Sequence, residues 1–133
     1  MIYVASKSKW AHWWRALRAA GVPIVAPWID ATLNEPGANE PSADTWSRHW
    51  SECISSAAAA DVVLFYAEEG STQCGALIEL GAALASGKRA FIVSDYDWSI
   101  ANHPRCRVFK DLASAITAIV AMQTGPRWLG IGR

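Results

Sequence analysis

Several features that mark particular classes of protein are scarce or absent in this sequence. The 133 residues include three cysteines, an odd number, with no CxxC pair and no histidine at ligand spacing, which argues against a disulfide framework or a zinc site. No apolar segment approaches the roughly 18 residues that a membrane span requires. Acidic and basic residues balance at twelve each, so no basic face is expected for nucleic acid. We therefore expect a soluble cytoplasmic protein that binds neither membrane nor nucleic acid.

The chain is rich in tryptophan, with eight residues, of which Trp10, Trp13 and Trp14 lie close together. Trp13 and Trp14 are adjacent and cannot share one face of a helix, whereas Trp10 has helical spacing with both. We expect at least one of the three to face something other than the core of its own subunit.

Short apolar runs alternate with segments of helical periodicity along the chain. The helix signals include Ser6 or Ser8 and Asp44 or Thr45 as N-caps, with Gly21 and Gly87 as C-terminal stops. Alternating strands and helices predict a parallel sheet with right-handed crossovers. We predict an α/β, flavodoxin-like, doubly wound sheet of order 2-1-3-4-5 with helices on both faces. The predicted strands are 2–5, 22–28, 61–66, 89–94 and 107–109, in a single domain over 1–122 that is followed by a tail over 123–133.

Ligands of such folds lie beyond the carboxyl ends of the strands, near the point where strand order reverses. This rule indicates the loops that follow strands 1, 2 and 3. Glu79 lies just inside the helix after the third loop, in GALIELGAALASGK (75–88). Leu77, Leu80 and Leu84 share a stripe that we expect to face the sheet, with Glu79 roughly opposite.

Small residues flank Glu79 at helical spacing, so we expect its carboxylate on a bare surface that another molecule can approach. The field of the helix N-terminus favours the ionised form of this carboxylate. An ionised, accessible carboxylate in a cleft is what a nucleophile at an anomeric carbon requires. The alternative is an ordinary first-turn glutamate on an exposed face, which spacing alone favours.

The segment GSTQCG before this helix supplies hydroxyls and backbone N–H groups at a helix N-terminus, which is a common site for an anion such as a 5′-phosphate. A simple capping turn explains the segment equally well. The candidate substrate-binding residues here are Gly70, Ser71, Thr72, Gln73 and Gly75.

Three segments in this order, IYVAS, ADVVLFY and GALIELGAALASGKRAFIV, resemble the nucleoside 2-deoxyribosyltransferase family and its nucleotide N-glycosidase relatives. The resemblance covers most of residues 1–119, and G-x-x-x-E-L-G-x-A followed by GK is its specific part. It implies that Glu79 attacks C1′ of a nucleoside or nucleotide and forms a glycosyl-enzyme intermediate. It also implies a homodimer or higher homo-oligomer that needs no metal and no cofactor.

The chain departs from this family at two acidic positions. An aspartate is usual eight residues before the aspartate that opens strand 3, and here that position is Cys53. A second aspartate is frequent six residues before the nucleophile, and here Gln73 stands there. As the replacement acid we favour Asp30, at the carboxyl end of strand 2, over Glu68 and Glu69, although a loop-capping role suits Asp30 equally well.

The remaining site candidates each have a structural alternative. Tyr3 matches a family tyrosine that approaches the nucleophile, and Trp28 is placed to stack on a base, but both also suit core packing. Asn102 resembles a residue that reaches the sugar in an adjacent subunit, although a turn before Pro104 explains it better. Ser6 lies in the loop after strand 1. His12 and His49 are interpreted as packing or surface groups. Cys53 has no evident histidine or asparagine partner in the sequence and is interpreted as a small buried residue.

The leading hypothesis is therefore cleavage or exchange of the N-glycosidic bond of a small nucleoside or nucleotide. The alternative is a catalytically silent nucleotide-binding or scaffold protein of the same fold, which Cys53 favours. An NAD-cleaving enzyme is a third possibility, since related folds use a glutamate in the same way.

Overall fold

The computed structural model describes residues 1–31, 33, 40–68 and 74–124. Three short 3-10 turns, at Ser8–Trp10, Pro27–Ile29 and Ser99–Asn102, separate some of the main elements. Within the described ranges, no helix has both the length and the hydropathy needed to cross a bilayer. The main elements in chain order are β1 (Ile2–Ala5), α1 (Ala11–Ala19), β2 (Ile24–Val25), α2 (Ala43–Ala59), β3 (Val62–Ala67), α3 (Cys74–Ala85), β4 (Arg89–Ser94), β5 (Cys106–Phe109) and α4 (Leu112–Thr124).

The five strands form one parallel sheet in the order β2-β1-β3-β4-β5. This confirms the predicted α/β flavodoxin-like architecture. Ile2 of β1 pairs with Ile24 of β2 on one side and Val62 of β3 on the other, so β1 lies at the point where strand order reverses. The carboxyl ends of β1 and β3 therefore open onto the region where doubly wound folds bind ligands.

The core is formed by the central strands and the helices that cover them. Every residue of β1 and the first four residues of β3 are buried. Neighbouring side chains of a strand point to opposite faces, so this burial requires cover on both sides of the sheet. Helix α1 contributes the fully buried Trp14, and α3 contributes Leu80. Helices α2 and α3 pack against each other and against β1, while α4 packs against β3, β4 and β5.

The ends of several elements differ from the sequence-based prediction. Strand β2 has two residues instead of seven, because Pro27 begins a 3-10 turn that contains Trp28, and proline has no N–H for a sheet ladder. Ser42 caps α2 by accepting from the Thr45 N–H at 3.2 Å, so the predicted caps Asp44 and Thr45 are wrong. Neither Ser6 nor Ser8 caps α1, which follows a 3-10 turn directly. Helix α4 extends to Thr124, two residues beyond the predicted boundary at 122.

The predicted glycine stops are confirmed. Gly21 and Gly87 follow α1 and α3 with φ of +106° and +81°. These backbone conformations cost little only for glycine, so each helix ends where its sequence signal places the end.

Candidate functional site

A cleft of about 220 Å³ opens at the carboxyl end of β1, between α2 and α3. Its volume lies below the roughly 300–1,000 Å³ of typical drug-sized ligand pockets, so it suits a compact molecule or one part of a larger ligand. The described residues that line it are Ser6, Lys7, Ser8, Trp28, Trp46, His49, Trp50, Cys53, Cys74, Gly75, Ala76 and Glu79.

Glu79 lines this cleft with a side chain that is only 5% exposed. Leu80 and Leu84 are buried as predicted. Ala76 and Ala83, on the same side of α3 as Glu79, are buried as well. The exposed side of the helix is instead marked by Ile78, which is 50% exposed. The prediction that Glu79 lies opposite the buried stripe, on an open helix surface, is therefore wrong. The reason is tertiary: α3 packs against α2 as well as against the sheet, so a second face of the helix is covered.

The phenol of Tyr3 donates a hydrogen bond to Glu79 Oε1 at 2.9 Å. Tyr3 is fully buried in β1, so the hydroxyl is held in place by the central strand. Burial raises the pKa of Glu79 from 4.5 to about 7, and the Tyr3 hydrogen bond opposes that rise. Burial and the nearby carboxylate also raise the pKa of Tyr3, which keeps its proton available for donation. Desolvation outweighs the stabilisation of the ionised form that we expected, so both forms of Glu79 are populated at neutral pH.

Cys53 lies beside this pair, on the face of α2 that covers the site. Its thiol is buried and interacts electrostatically with Tyr3 and Glu79. Burial raises its pKa to about 11, so it stays protonated and is a poor nucleophile. The expected burial of Cys53 is confirmed, but the absence of a histidine partner is not: His49 Nε2 lies 3.7 Å from its sulfur.

Helix α2 contributes a stripe to the cleft that was not recognised from the sequence. Trp46, His49, Trp50 and Cys53 all line the cavity. Their spacing of i, i+3, i+4 and i+7 is the signal that places them on one helix face. His49 is half-buried, with its ring held edge-on between Trp46 and Trp50 at centroid distances of 6.0 and 6.4 Å.

Two candidates predicted from the sequence shape the aromatic walls. Trp28 lines the cleft, and its indole N–H donates to the Val4 carbonyl at 2.8 Å, which fixes the ring beside the end of β1. A Cβ added at Gly75 would lie 3.3 Å from the Trp50 ring. Glycine at this position therefore allows Trp50 to approach α3 closely.

The loop after β1 provides the polar side of the cleft. Ser6 Oγ accepts a hydrogen bond from the Trp14 indole at 2.8 Å and lines the cavity together with Lys7. The structure thus brings Tyr3, Ser6, Trp28 and Gly75 together around Glu79.

Asp30 and Asn102 lie outside this group. Asp30 follows the 3-10 turn after β2 and makes two hydrogen bonds with the Arg18 guanidinium, at 2.7 and 2.9 Å. Arg18 lowers the pKa of Asp30, which makes Asp30 a poor proton donor, and it is not among the residues that line the cleft. Asn102 is exposed, and its amide donates to the Ser99 carbonyl at 3.1 Å, as expected for a turn.

Several sequence-based candidates lie outside the described residues: Glu69, Gly70, Ser71, Thr72 and Gln73. Among the residues that the structure describes, no group of three or more histidine, cysteine, aspartate or glutamate side chains is placed to hold a metal ion.

Comparisons with protein-family models, with curated proteins and with solved structures found no significant match to this chain. Functional interpretation therefore depends on the geometry of the cleft. It holds a buried carboxyl with a fixed phenol donor, three indole rings, a histidine and a lysine. This set offers a nucleophile or a base at one wall and flat apolar surfaces for a planar ring beside it.

Proposed function

We propose that this protein cleaves or exchanges the N-glycosidic bond of a small nucleoside or nucleotide, with Glu79 as the nucleophile. The observation that carries the proposal is the buried Tyr3–Glu79 hydrogen bond at a tryptophan-lined cleft at the carboxyl end of β1. This position at the switch point of the sheet is where doubly wound folds bind nucleotides and related ligands.

The composition of the cleft suits the two halves of a nucleoside. The rings of Trp28, Trp46 and Trp50 provide apolar faces for a planar base. Glu79 and Ser6 offer oxygen atoms that can accept hydrogen bonds from sugar hydroxyls. Lys7, also in the lining, offers a cation for a phosphate if the substrate is a nucleotide.

Glu79 can carry the covalent step as a carboxylate. Its ionised form attacks C1′, the C1′–N bond breaks, and the bonding electrons leave with the base. The Tyr3 hydroxyl orients the carboxylate through the hydrogen bond to Oε1, which restricts the attack geometry. Water, or a second base in an exchange reaction, then attacks C1′ of the glycosyl ester and releases the Glu79 carboxylate.

The direct test is incubation of the wild type and Glu79→Gln with a panel of nucleosides and their 5′-monophosphates, with and without an added second base. Free base and exchanged nucleoside are followed by chromatography. We expect Glu79→Gln to reduce turnover of the substrate that the wild type accepts by about 10³-fold or more, because glutamine cannot form the ester. Asp30→Asn, which changes a carboxylate outside the cleft, is the matched control and should keep activity within about threefold.

The catalytically silent alternative is favoured by one specific observation. Among the described residues that line the cleft, Glu79 is the only carboxyl, and Cys53 stands where the resemblance leads us to expect an acid. A binding or scaffold protein would bind members of the panel with similar affinity in the wild type and in Glu79→Gln, and would release base from none. Calorimetry on the same panel distinguishes the two functions.

A further inference from the structure

A glycosidic cleavage at Glu79 needs a proton for the departing base. The bond electrons end on a base nitrogen, and most bases leave slowly as anions, so a positioned acid contributes about 10² to 10⁴ in rate. Apart from Glu79, the described ionisable side chains of the cleft are Lys7, His49, Cys53 and Cys74. The source of the proton must be sought among these groups or in solvent.

Three of these groups are less suited to this role than His49, and one of them, Cys74, is an exposed thiol at the first residue of α3. The Cys53 thiol is buried and its pKa is raised to about 11, so transfer of its proton to a base has little driving force at neutral pH. Lys7 lies on the loop after β1, and a lysine ammonium is a compact, strongly hydrated cation that suits anion binding better than proton delivery near neutrality.

His49 is placed in the cleft near the buried carboxyl. It lines the cleft one turn of α2 before Cys53, and its Nε2 contacts the Cys53 sulfur at 3.7 Å. Cys53 in turn interacts with Tyr3 and Glu79, so the imidazole contacts a side chain that itself interacts with the buried Tyr3–Glu79 pair. The edge-on rings of Trp46 and Trp50 hold the imidazole among the same surfaces that suit the base.

We propose that His49 is the general acid that protonates the departing base, in the role that a carboxylic acid would otherwise fill. This inference rests on the proposed function of Glu79. As the Glu79 carboxylate bonds to C1′, the C1′–N electron pair moves to the base and accepts a proton from the His49 imidazolium. The neutral imidazole then takes a proton from the water that attacks C1′, which restores both groups and releases the free sugar.

The test compares substrates that differ in their need for a proton. Guanosine and 2′-deoxyguanosine need protonation of the leaving base, whereas their N7-methyl derivatives carry a cationic base that leaves as a neutral molecule. We expect His49→Gln to lower kcat/KM for the unmethylated pair by about 10²-fold or more, and for the methylated pair by less than about threefold. His12→Gln, on the exposed side of α1, is the matched control and should change neither pair.

If His49 has only a structural role, His49→Gln should lower kcat/KM by the same factor for the methylated and the unmethylated substrates. An equal loss, or no loss, overturns the acid role. His49→Ala provides a second readout, because added imidazole should restore part of its activity with the unmethylated substrates only.

Failure of the proposed function gives a separate result. If cleavage of both kinds of substrate survives Glu79→Gln, the nucleophile assignment fails whatever His49 does. If the wild type cleaves only the methylated substrates, the cleft supplies no acid, and the role of His49 is overturned while that of Glu79 stands. Release from none of the four substrates contradicts the acid role, and the silent alternative is then decided by the binding measurements.

Discussion

Two regions at the carboxyl edge of the sheet hold carboxyl groups in opposite electrostatic surroundings. In the cleft, Glu79 is buried, its observed partner is the neutral Tyr3 hydroxyl, and its pKa is raised to about 7. On the rim, Asp30 is paired with Arg18, and Glu68 accepts hydrogen bonds from Lys9 and the Trp10 indole. The pKa values of both rim carboxyls are lowered by these partners.

The difference shows what decides the chemistry of a carboxyl group in this fold. Glu79, Asp30 and Glu68 all follow or adjoin the ends of strands, so their position along the sheet does not explain why their pKa values shift in opposite directions. Burial against α2 separates Glu79, while hydrogen bonds from Arg18 to Asp30, and from the Trp10 indole and Lys9 to Glu68, keep the exposed rim groups ionised. The cleft carboxyl is therefore the one whose protonation changes near neutral pH, which is typical of functional rather than structural carboxylates.

The largest effect that we expect from the contrast between Glu79 and the rim carboxyls is on the free energy of unfolding. The folded protein raises the pKa of Glu79 from 4.5 to about 7, so the folded state binds this proton more tightly than the unfolded state. Stability from this group is present below about pH 4.5 and is lost as pH rises through about 7. We expect Glu79→Gln, whose amide oxygen can still accept from Tyr3, to exceed the wild type by up to about 3 kcal/mol at pH 8 and by little at pH 4.

Urea unfolding at pH 4, 6 and 8 measures this difference in the free energy of unfolding between Glu79→Gln and the wild type. Asp30→Asn is the control from the rim, and its lowered pKa predicts a dependence of opposite sign that is small because the pair is exposed. A difference in the free energy of unfolding between the wild type and Glu79→Gln that stays constant with pH would show that folding does not raise the pKa of Glu79.

A smaller effect is expected when the phenol donor is removed from the cleft. Tyr3→Phe keeps the buried ring and deletes the hydrogen bond to Glu79 Oε1, which stabilises the ionised carboxyl. We expect the pKa of Glu79 to rise further and base release at pH 7 to fall by about tenfold, with partial recovery at higher pH. A carboxyl carbon NMR titration measures the pKa directly, and Tyr66→Phe, outside the cleft lining, is the control. An unchanged titration of Glu79 would refute the role of Tyr3.

The smallest effect compares the inner and outer sides of α3. A Cβ added at Gly81 would meet no atom within 4 Å beyond its chain neighbours and the backbone of its own helix, whereas one added at Gly75 would lie 3.3 Å from the Trp50 ring. We expect Gly81→Ala to stabilise the protein by about 0.5–1 kcal/mol, because alanine is the better helix former. The change in the free energy of unfolding for Gly75→Ala should be about 1 kcal/mol less favourable than that for Gly81→Ala, because the Trp50 ring must shift. Thermal unfolding measures both variants, and equal gains would show that the Trp50 contact does not constrain this wall of the cleft.

Particular elements show why the sequence predicted the fold better than the site. The apolar run of β3, the glycines after α1 and α3, and the alternation of strands with helices are local signals, and the doubly wound topology that such alternation favours supplied the strand order. The pairing of Tyr3 with Glu79 joins residues 76 positions apart, so the family resemblance indicates it but no local pattern encodes it. The sequence favours Asp30 over Glu68 and Glu69 as the acid and leaves His49 as a packing or surface group, because the ends of strands can be located from the sequence, whereas the docking of α2 on α3 cannot.

By itself the sequence determined the elements, because periodicity and turn residues act over a few neighbours, and the general topology of alternating strands and helices then placed Glu79 near the switch point of a parallel sheet. Only the tertiary structure decided which faces of α3 are covered, that Glu79 is buried beside Tyr3 and Cys53, and that His49 shares its cleft. These features depend on the packing of α2 against α3 and β1, and the resulting loss of water around one carboxyl is a property of the assembled fold rather than of any segment.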